Sequence, residues 1–337
     1  MPQGTNYQPN TTRVHMGGAA STIEQHLELY TGFVDSQFQY TQIFAAFSAQ
    51  KTTENRTNNI RIDRLNTSVV KGRKAGEAIE SQRVTSDKLN ITVECMMYIR
   101  NPIDEMDDWT SPDFLTDIAR NNGTQFGLAY DEAHIIRLQK ARSWVAPAHL
   151  KPAFSDGIEV PVTLLAAAAT TADFEANASA LVVAHGKAVN ALIKRRVPLT
   201  DVVTLVTTDV FTTLLNHPKL INKDYVADNG DFAGRRVVKV NGVDIVESIA
   251  FPTAPITNHI LSTSTNSNAF NATAADIKGE MILFSKGLSL VTVTAKGFHS
   301  KFWEDHAEMC NVLDCRSMFT VDTRRPDTVA VITVTRA

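Results

Sequence analysis

The side chains whose types and spacing come nearest to chemistry lie toward the C-terminus: His299, His306, Glu308, Cys310 and Cys315. Imidazole, carboxylate and thiol are zinc-binding groups, and His306-Ala307-Glu308 matches the start of the zinc-deaminase signature. The Pro-Cys-x-x-Cys that must follow is missing. Cys310 and Cys315 are five apart, and on one regular strand that spacing sends them to opposite faces. Structural histidines and thiols are therefore expected, with no metal. Gly287-Leu288-Ser289-Leu290-Val291 approaches a nucleophile elbow but carries Val291 where the closing glycine belongs. Asp224, Asp228, Asn229, Gly230 and Asp231 have calcium-binding side chains without the calcium-loop offsets, since Tyr225 follows Asp224 directly. There is no P-loop and no Gly-x-Gly-x-x-Gly. The residues point to no catalytic group and no cofactor; a zinc hydrolase or deaminase on His306, Glu308 and Cys310 is the alternative of a different class.

The remaining chemistry is ionic. Between Lys51 and Lys88 the chain carries Lys51, Arg56, Arg61, Arg64, Lys71, Arg73, Lys74, Arg83 and Lys88 against five acids. Asn59-Ile60-Arg61-Ile62-Asp63-Arg64-Leu65 alternates as a strand does, Lys71-Gly72-Arg73-Lys74-Ala75-Gly76 reads as a tip, and Val84 to Ile99 returns as strand. That is a two-stranded ribbon with no core of its own. Isolated ribbons are marginal in water, so it must lie on another surface, and a neighbouring subunit is the expected one. The acidic run Asp104, Glu105, Asp107, Asp108 reads as a solvated approach to the following helix or, functionally, as the charge complement of a neighbour's ribbon, since opposite charges on different parts of one chain suit head-to-tail assembly. Nucleic-acid binding by the basic cluster is disfavoured because no aromatics are interleaved.

Composition bounds these readings. The chain has 337 residues, an ordinary apolar fraction of 43% and a net charge of −3, too small for a nucleic-acid coat. Three cysteines argue against a disulfide framework, and no run is long enough to span a membrane. The N-terminus lacks the pattern of a secretory signal, so folding in cytoplasm is expected.

Elements follow from spacing. Residues 22–47 are apolar, with Phe33, Phe38 and Phe44 among them, and read as a helix or a clamp on a neighbour. Ser111-Pro112-Asp113 starts a long helix running to about Arg142. Residues 147–171 read as irregular, a second helix starts near Asp173, Val202–Thr207 is a buried strand and Asp209–Asn216 a short helix. Asn241-Gly242 closes a hairpin, 252–276 is a surface loop, and Met281–Phe284, Leu288–Thr294 and most of Met309–Val334 are strand. The class is α+β without βαβ regularity.

The order of these segments resembles the major capsid protein of tailed bacteriophages, the fold named after Hong Kong phage ninety-seven, and most closely that of short-tailed phages. Lys71 to Glu77 with Leu89-Asn90-Ile91-Thr92-Val93 look like the tip and return strand of that family's extended loop. Phe114 to Lys140, with Gly127-Leu128-Ala129-Tyr130-Asp131, looks like its spine helix. Met281-Ile282-Leu283-Phe284-Ser285-Lys286, Val291-Thr292-Val293 and Arg325-Pro326-Asp327-Thr328-Val329-Ala330-Val331 look like its closing strands.

The resemblance implies an N-terminal arm (1–50), an extended loop and return strand (51–100), a peripheral domain with the spine helix (101–149) and strands 289–322, and an axial domain (150–288) to which a closing strand (323–337) returns. It implies hexamers and pentamers in an icosahedral virion shell around double-stranded DNA, bound without sequence-specific contacts. A separate scaffolding protein is expected, because about fifty residues before the ribbon are too few for a scaffolding domain. A portal protein and decoration proteins complete the expected partners; no membrane is expected. The candidate intersubunit contacts are Phe33, Phe38, Phe44, Arg61, Arg64, Lys71, Arg73, Lys74, Glu77, Asp104, Glu105, Asp107 and Asp108. An encapsulin-like compartment shell is the near alternative.

Overall fold

The computed structural model describes residues 42–53, 57–104, 114–168, 170–217 and 239–337. The expectations for Phe33, Phe38, Glu105, Asp107, Asp108, the helix start at Ser111-Pro112-Asp113 and the Asp224–Asp231 cluster lie outside them.

A six-stranded sheet is the centre of one half. Its order is β5 (Ile158–Leu164), β12 (Val329–Arg336), β9 (Gly279–Ser285), β6 (Val202–Val206), β8 (Val243–Glu247) and β7 (Lys239–Val240). Its inner strands β12, β9 and β6 are nearly continuous apolar runs, as strands covered on both faces must be. The two-residue side-chain period then divides two cores. Ala330, Ile332, Met281 and Leu283 face one, where α3 (Thr171–Lys194) lays Leu181, Ala188 and Leu192 on the sheet. Val329, Val331, Ile282 and Phe284 face the other, shared with Ile135 and Leu138 of the long helix α2 (Phe114–Lys140). A reciprocal Thr170–Asp173 capping box starts α3, and the helix α4 (Thr208–Leu215) is capped by Thr207. The β7–β8 hairpin turns on Asn241 and Gly242, both at positive φ (50° and 80°), the geometry an Asn-Gly turn supplies.

Across α2 lies a second sheet of four strands, in the order β1 (Ala49–Thr52), β10 (Leu290–Asp305), β11 (Cys310–Thr323) and β4 (Met97–Asp104). The third sheet is the ribbon alone, β2 (Asn59–Leu65) with β3 (Ser86–Thr92).

Three expectations change. Residues 147–171 are not wholly irregular. They contain β5, whose Pro161 hid an otherwise alternating strand; β5 is an edge strand, where a missing N–H is tolerated. Residues 252–276 are not only surface: Leu261, Phe270 and Ala272 are buried. The return strand is also interrupted. β3 ends at Thr92 and β4 begins at Met97 in a different sheet, so the chain changes partners between them.

Candidate subunit interface

The base of the ribbon is not coreless. Ile62, Ile91 and Val93 are buried against Val291 and Val293 of β10 in the same chain, so half of the ribbon is held by its own body. The expectation failed here because the covering strand lies some two hundred residues away, where no local pattern reports it.

Above that base is a neck. The Arg64 guanidinium donates to the Thr323 and Arg324 carbonyls at 2.8 and 3.0 Å and lies over the rings of Trp144 and Phe154. Burial lowers its pKa from the ordinary guanidinium value, against the opposing pull of Asp322, Asp87 and Asp327. Asn66 Nδ2 donates to the His149 and Lys151 carbonyls (3.1 and 3.0 Å), and Asn66 Oδ1 accepts the Ala153 N–H (3.2 Å). The Thr85 hydroxyl on the facing arm donates to the same His149 carbonyl. Of the sequence candidates, Arg64 is thus used on its own subunit.

Beyond β2 and β3 the regular ladder stops, but the register continues through one backbone bond and then through side chains. Asn66 N–H donates to the Thr85 carbonyl, Val69 N–H to the Gln82 amide oxygen, Lys71 pairs with Glu80 at 2.7 Å, and Lys74 N–H meets the Glu77 carboxylate. Each is the pairing that β2 and β3 would make if simply extended. Gly76, at φ 91°, and the Glu77 N–H to Lys74 carbonyl bond close the tip. This extended segment is uncovered: Val70 is 98% exposed, Ile79 80% and Val69 65%. Valine and isoleucine stand in water here, on a segment with no layer beneath it among the described residues. Arg61 is also exposed, in a 2.7 Å pair with Asp63.

The arm side differs from expectation. Phe44 is fully buried in its own chain, stacked on His134 and Phe284 (ring centroids 4.8 and 5.8 Å), so it is a core residue and not an intersubunit contact. Spacing in the sequence could not show this, because its partners come from α2 and β9. Asp131 on α2 accepts the N–H groups of Ile43 and Phe44, and burial raises its carboxyl to about 6 despite those two bonds. His134 Nδ1–H donates to the Tyr130 carbonyl, which leaves Nε2 to accept the Thr292 hydroxyl; Thr292 in turn contacts Ser48 Oγ. This one neutral tautomer satisfies every partner, and burial lowers the ring to about 3.

Asp104 ends β4, in register with Cys310, which itself faces Asp305. Burial first, then Asp305, Glu308 and Asp104, push the Cys310 thiol above its ordinary pKa, the reverse of what a nucleophile needs. His306 is exposed and sits 3.5 Å from Glu304. Among the described residues, no three His, Cys, Asp or Glu side chains are grouped to hold a metal ion.

The whole chain has structural counterparts. The capsid subunit of the mature bacteriophage PhiM1 is 38% identical over 99% of this chain and 100% of its own, with a TM-score of 0.76. The chain belongs to the major capsid proteins of tailed bacteriophages. This capsid protein has the Hong Kong phage ninety-seven fold. The cyanophage P-SCSP1u capsid subunit shares that fold at 16% identity, covering 88% of this chain and 89% of its own, with a TM-score of 0.72. A virus-like particle subunit from Pyrococcus furiosus shares it at 10% identity, covering 91% and 99%, with a TM-score of 0.51. No family model matches the capsid protein's sequence, and no curated protein matches it. The 38% identity to a phage capsid subunit across the whole chain favours a phage head over an encapsulin-like compartment.

Proposed function

We propose that this major capsid protein builds its icosahedral head as hexamers and pentamers in which the segment beyond Asn66 and Thr85 lies on an adjacent subunit. The observation that carries the reading is the uncovered loop: Val70 and Ile79 stand in water on a segment whose neck is fixed to its own body. An arm that crosses a subunit border adds contact area without enlarging the core. Many such contacts, each modest, hold a subunit firmly once several neighbours engage it. The role is structural and non-catalytic. The domain division read from the sequence fits this role: arm, loop, peripheral domain around α2 and the four-stranded sheet, and axial domain around the six-stranded sheet.

The reading extends to a separate scaffolding protein, a portal, double-stranded DNA packaged without sequence-specific contacts, decoration proteins, and assembly in the host cytoplasm before residence in the virion. Negative-stain microscopy of the expressed protein, with and without a co-expressed scaffolding protein, tests it. Closed shells of uniform diameter are expected. A protein that remains a monomer under both conditions, with the loop segment protected from proteolysis, overturns it.

A further inference from the structure

We infer that Asn241 is a guarded self-modification site: the β7–β8 turn and His185 hold back its conversion to aspartate and isoaspartate, which proceeds when that hairpin opens. The chemistry needs no enzyme. The Gly242 backbone nitrogen attacks Asn241 Cγ and forms a new N–C bond. The Cγ–Nδ2 bond breaks, and the amide nitrogen leaves as ammonia with the Gly242 proton. Water then opens the imide ring at either carbonyl, giving aspartate or, with the main chain rerouted through the side chain, isoaspartate. Glycine makes the attacking nitrogen reachable because it carries no Cβ. Both residues are exposed, and a Cβ placed on Gly242 would meet nothing within 4 Å.

Two features hold the attack back. Positive φ at both central residues makes the turn type I′, in which the asparagine has ψ of about +30°. At that ψ the Gly242 nitrogen lies across the Cα–C bond from Asn241 Cβ, so the imide ring cannot close. The side chain is also tied down. Asn241 Nδ2 donates to His185 Nδ1 at 3.0 Å, and the Nε2–H of the same ring donates to the Thr204 hydroxyl at 2.9 Å. His185 and Thr204 are fully buried, so the latch runs from the sheet through α3 to an exposed turn. Gly186 of α3 leaves room for the amide: a Cβ there would stand 3.4 Å from Asn241 Nδ2.

The conversion changes the fold locally. An ionised aspartate offers only acceptors, and it would face a ring nitrogen that is itself an acceptor. Isoaspartate adds a carbon to the main chain, and the two-residue turn then no longer fits. Among the described residues β7 is two residues long and pairs with β8 alone at the edge of its sheet. Its release leaves the inner strands untouched. The step is one-way, so it records how long the hairpin has spent open. A second Asn-Gly pair, Asn122-Gly123, supplies the contrast. It lies inside α2, where Asn122 is buried and donates to Asn101 Oδ1 at 2.8 Å, and the helix keeps the attacking nitrogen out of reach.

Peptide mapping of the full-length protein during storage in mildly alkaline buffer tests this, with Asn, Asp and isoaspartate separated at positions 241 and 122. Slow conversion at 241 and none at 122 is expected in the wild type. His185→Leu removes the acceptor of the Asn241 amide and should speed conversion at 241 about tenfold, the factor one lost hydrogen bond supplies. His185→Gln offers an acceptor again and should stay near the wild-type rate. Thr204→Val keeps the volume but strips the ring N–H of its acceptor, and it should also speed conversion. This variant reads the latch from its other end if His185→Leu does not fold. An unchanged rate at 241 in the variants overturns the guard. Conversion of Asn122 in step with Asn241 in the wild type also overturns the inference, because unfolding of the whole chain would then carry the chemistry. So does an Asn241 that stays intact in the variants while the urea-unfolded chain converts.

Discussion

The Asp131 carboxylate accepts the backbone N–H of Ile43 at 2.9 Å, so the entry of the arm into the body is fixed from the middle of α2. The contact satisfies donors at the start of the short helix α1 (Phe44–Phe47), and Phe44 beneath it is fully buried.

Asp131 gives the arm an unusual pH response. Its carboxyl rises from 3.8 to about 6 because burial outweighs the two N–H donors. A carboxyl raised by docking contributes stability in full below the free value near 3.8 and loses it as pH rises through about 6. The span corresponds to about 3 kcal/mol. Asp131→Asn keeps an acceptor for Ile43 without the charge. Protection factors of the amides at residues 43–48, corrected for intrinsic exchange, should therefore fall between pH 5 and 7 in the wild type and hold level in the variant; equal slopes would contradict the role given to Asp131.

The histidines act in the opposite direction on the whole fold. His134 is held to about 3 and His185 to about 4, both by burial, and the hydrogen bonds of each fix a neutral ring. The unfolded chain takes up these protons near pH 6.5, so the stability they confer is complete above that value and falls as the solution is acidified toward 4. At pH 5 the loss is about 2 kcal/mol for each, larger than the gain from Asp131. Urea unfolding of the free subunit should show a clearly lower midpoint at pH 5 than at pH 7, and His134→Gln should reduce the difference.

Much of this molecule can be read locally. The alternation Asn59–Leu65 shows β2, the run Val202–Val206 shows a strand covered on both faces, and Asn241-Gly242 shows its hairpin. What stayed hidden depends on residues far apart in the chain. Ile62 meets Val291, Asn66 meets His149, and Phe44 meets Phe284, and no spacing within a segment reports such pairs. Pro161 misled because its cost depends on whether β5 is central or at an edge, which topology decides. Phe44 and Arg64 have the size and charge of contact residues, and the same properties suit a core and a neck. The roles of Asn66, Thr85 and Asp131 leave no trace in the sequence, because single polar residues carry no pattern.

The neck makes a prediction about aim. Asn66 bridges both loop arms to the segment at 149–153 through three backbone groups. Asn66→Ala removes two donors and an acceptor while leaving the carbonyls half-exposed to water, a cost of about 1–2 kcal/mol. Global unfolding should shift by no more than that, yet amide exchange at Thr85 to Asp87 should rise markedly and shell yield should fall. A variant with normal exchange at those amides would show that Arg64 and Thr85 hold the neck without Asn66.

The two basic residues nearest the tip should not be equivalent. Lys71 already pairs with Glu80 across the loop, at 48% and 78% side-chain exposure, a contact worth no more than about 1 kcal/mol in water. Arg73 has no ion pair among the described residues and is exposed. If the tip meets an acidic surface, Arg73 can engage it outright, whereas Lys71 must share or leave Glu80. Arg73→Glu should therefore depress assembly more than Lys71→Glu, and both defects should be larger at 50 mM than at 500 mM salt, because screening shortens the reach of exposed charge from about 14 Å to about 4 Å. Neither change should move the unfolding midpoint of the free subunit beyond about 0.5 kcal/mol, since the tip touches nothing in its own body. Light scattering during assembly at the two salt concentrations reads the effect. Assembly curves for Arg73→Glu that overlay the wild type at low salt would mean the tip is solvated in the shell, and the valines below it would then carry the contact by themselves.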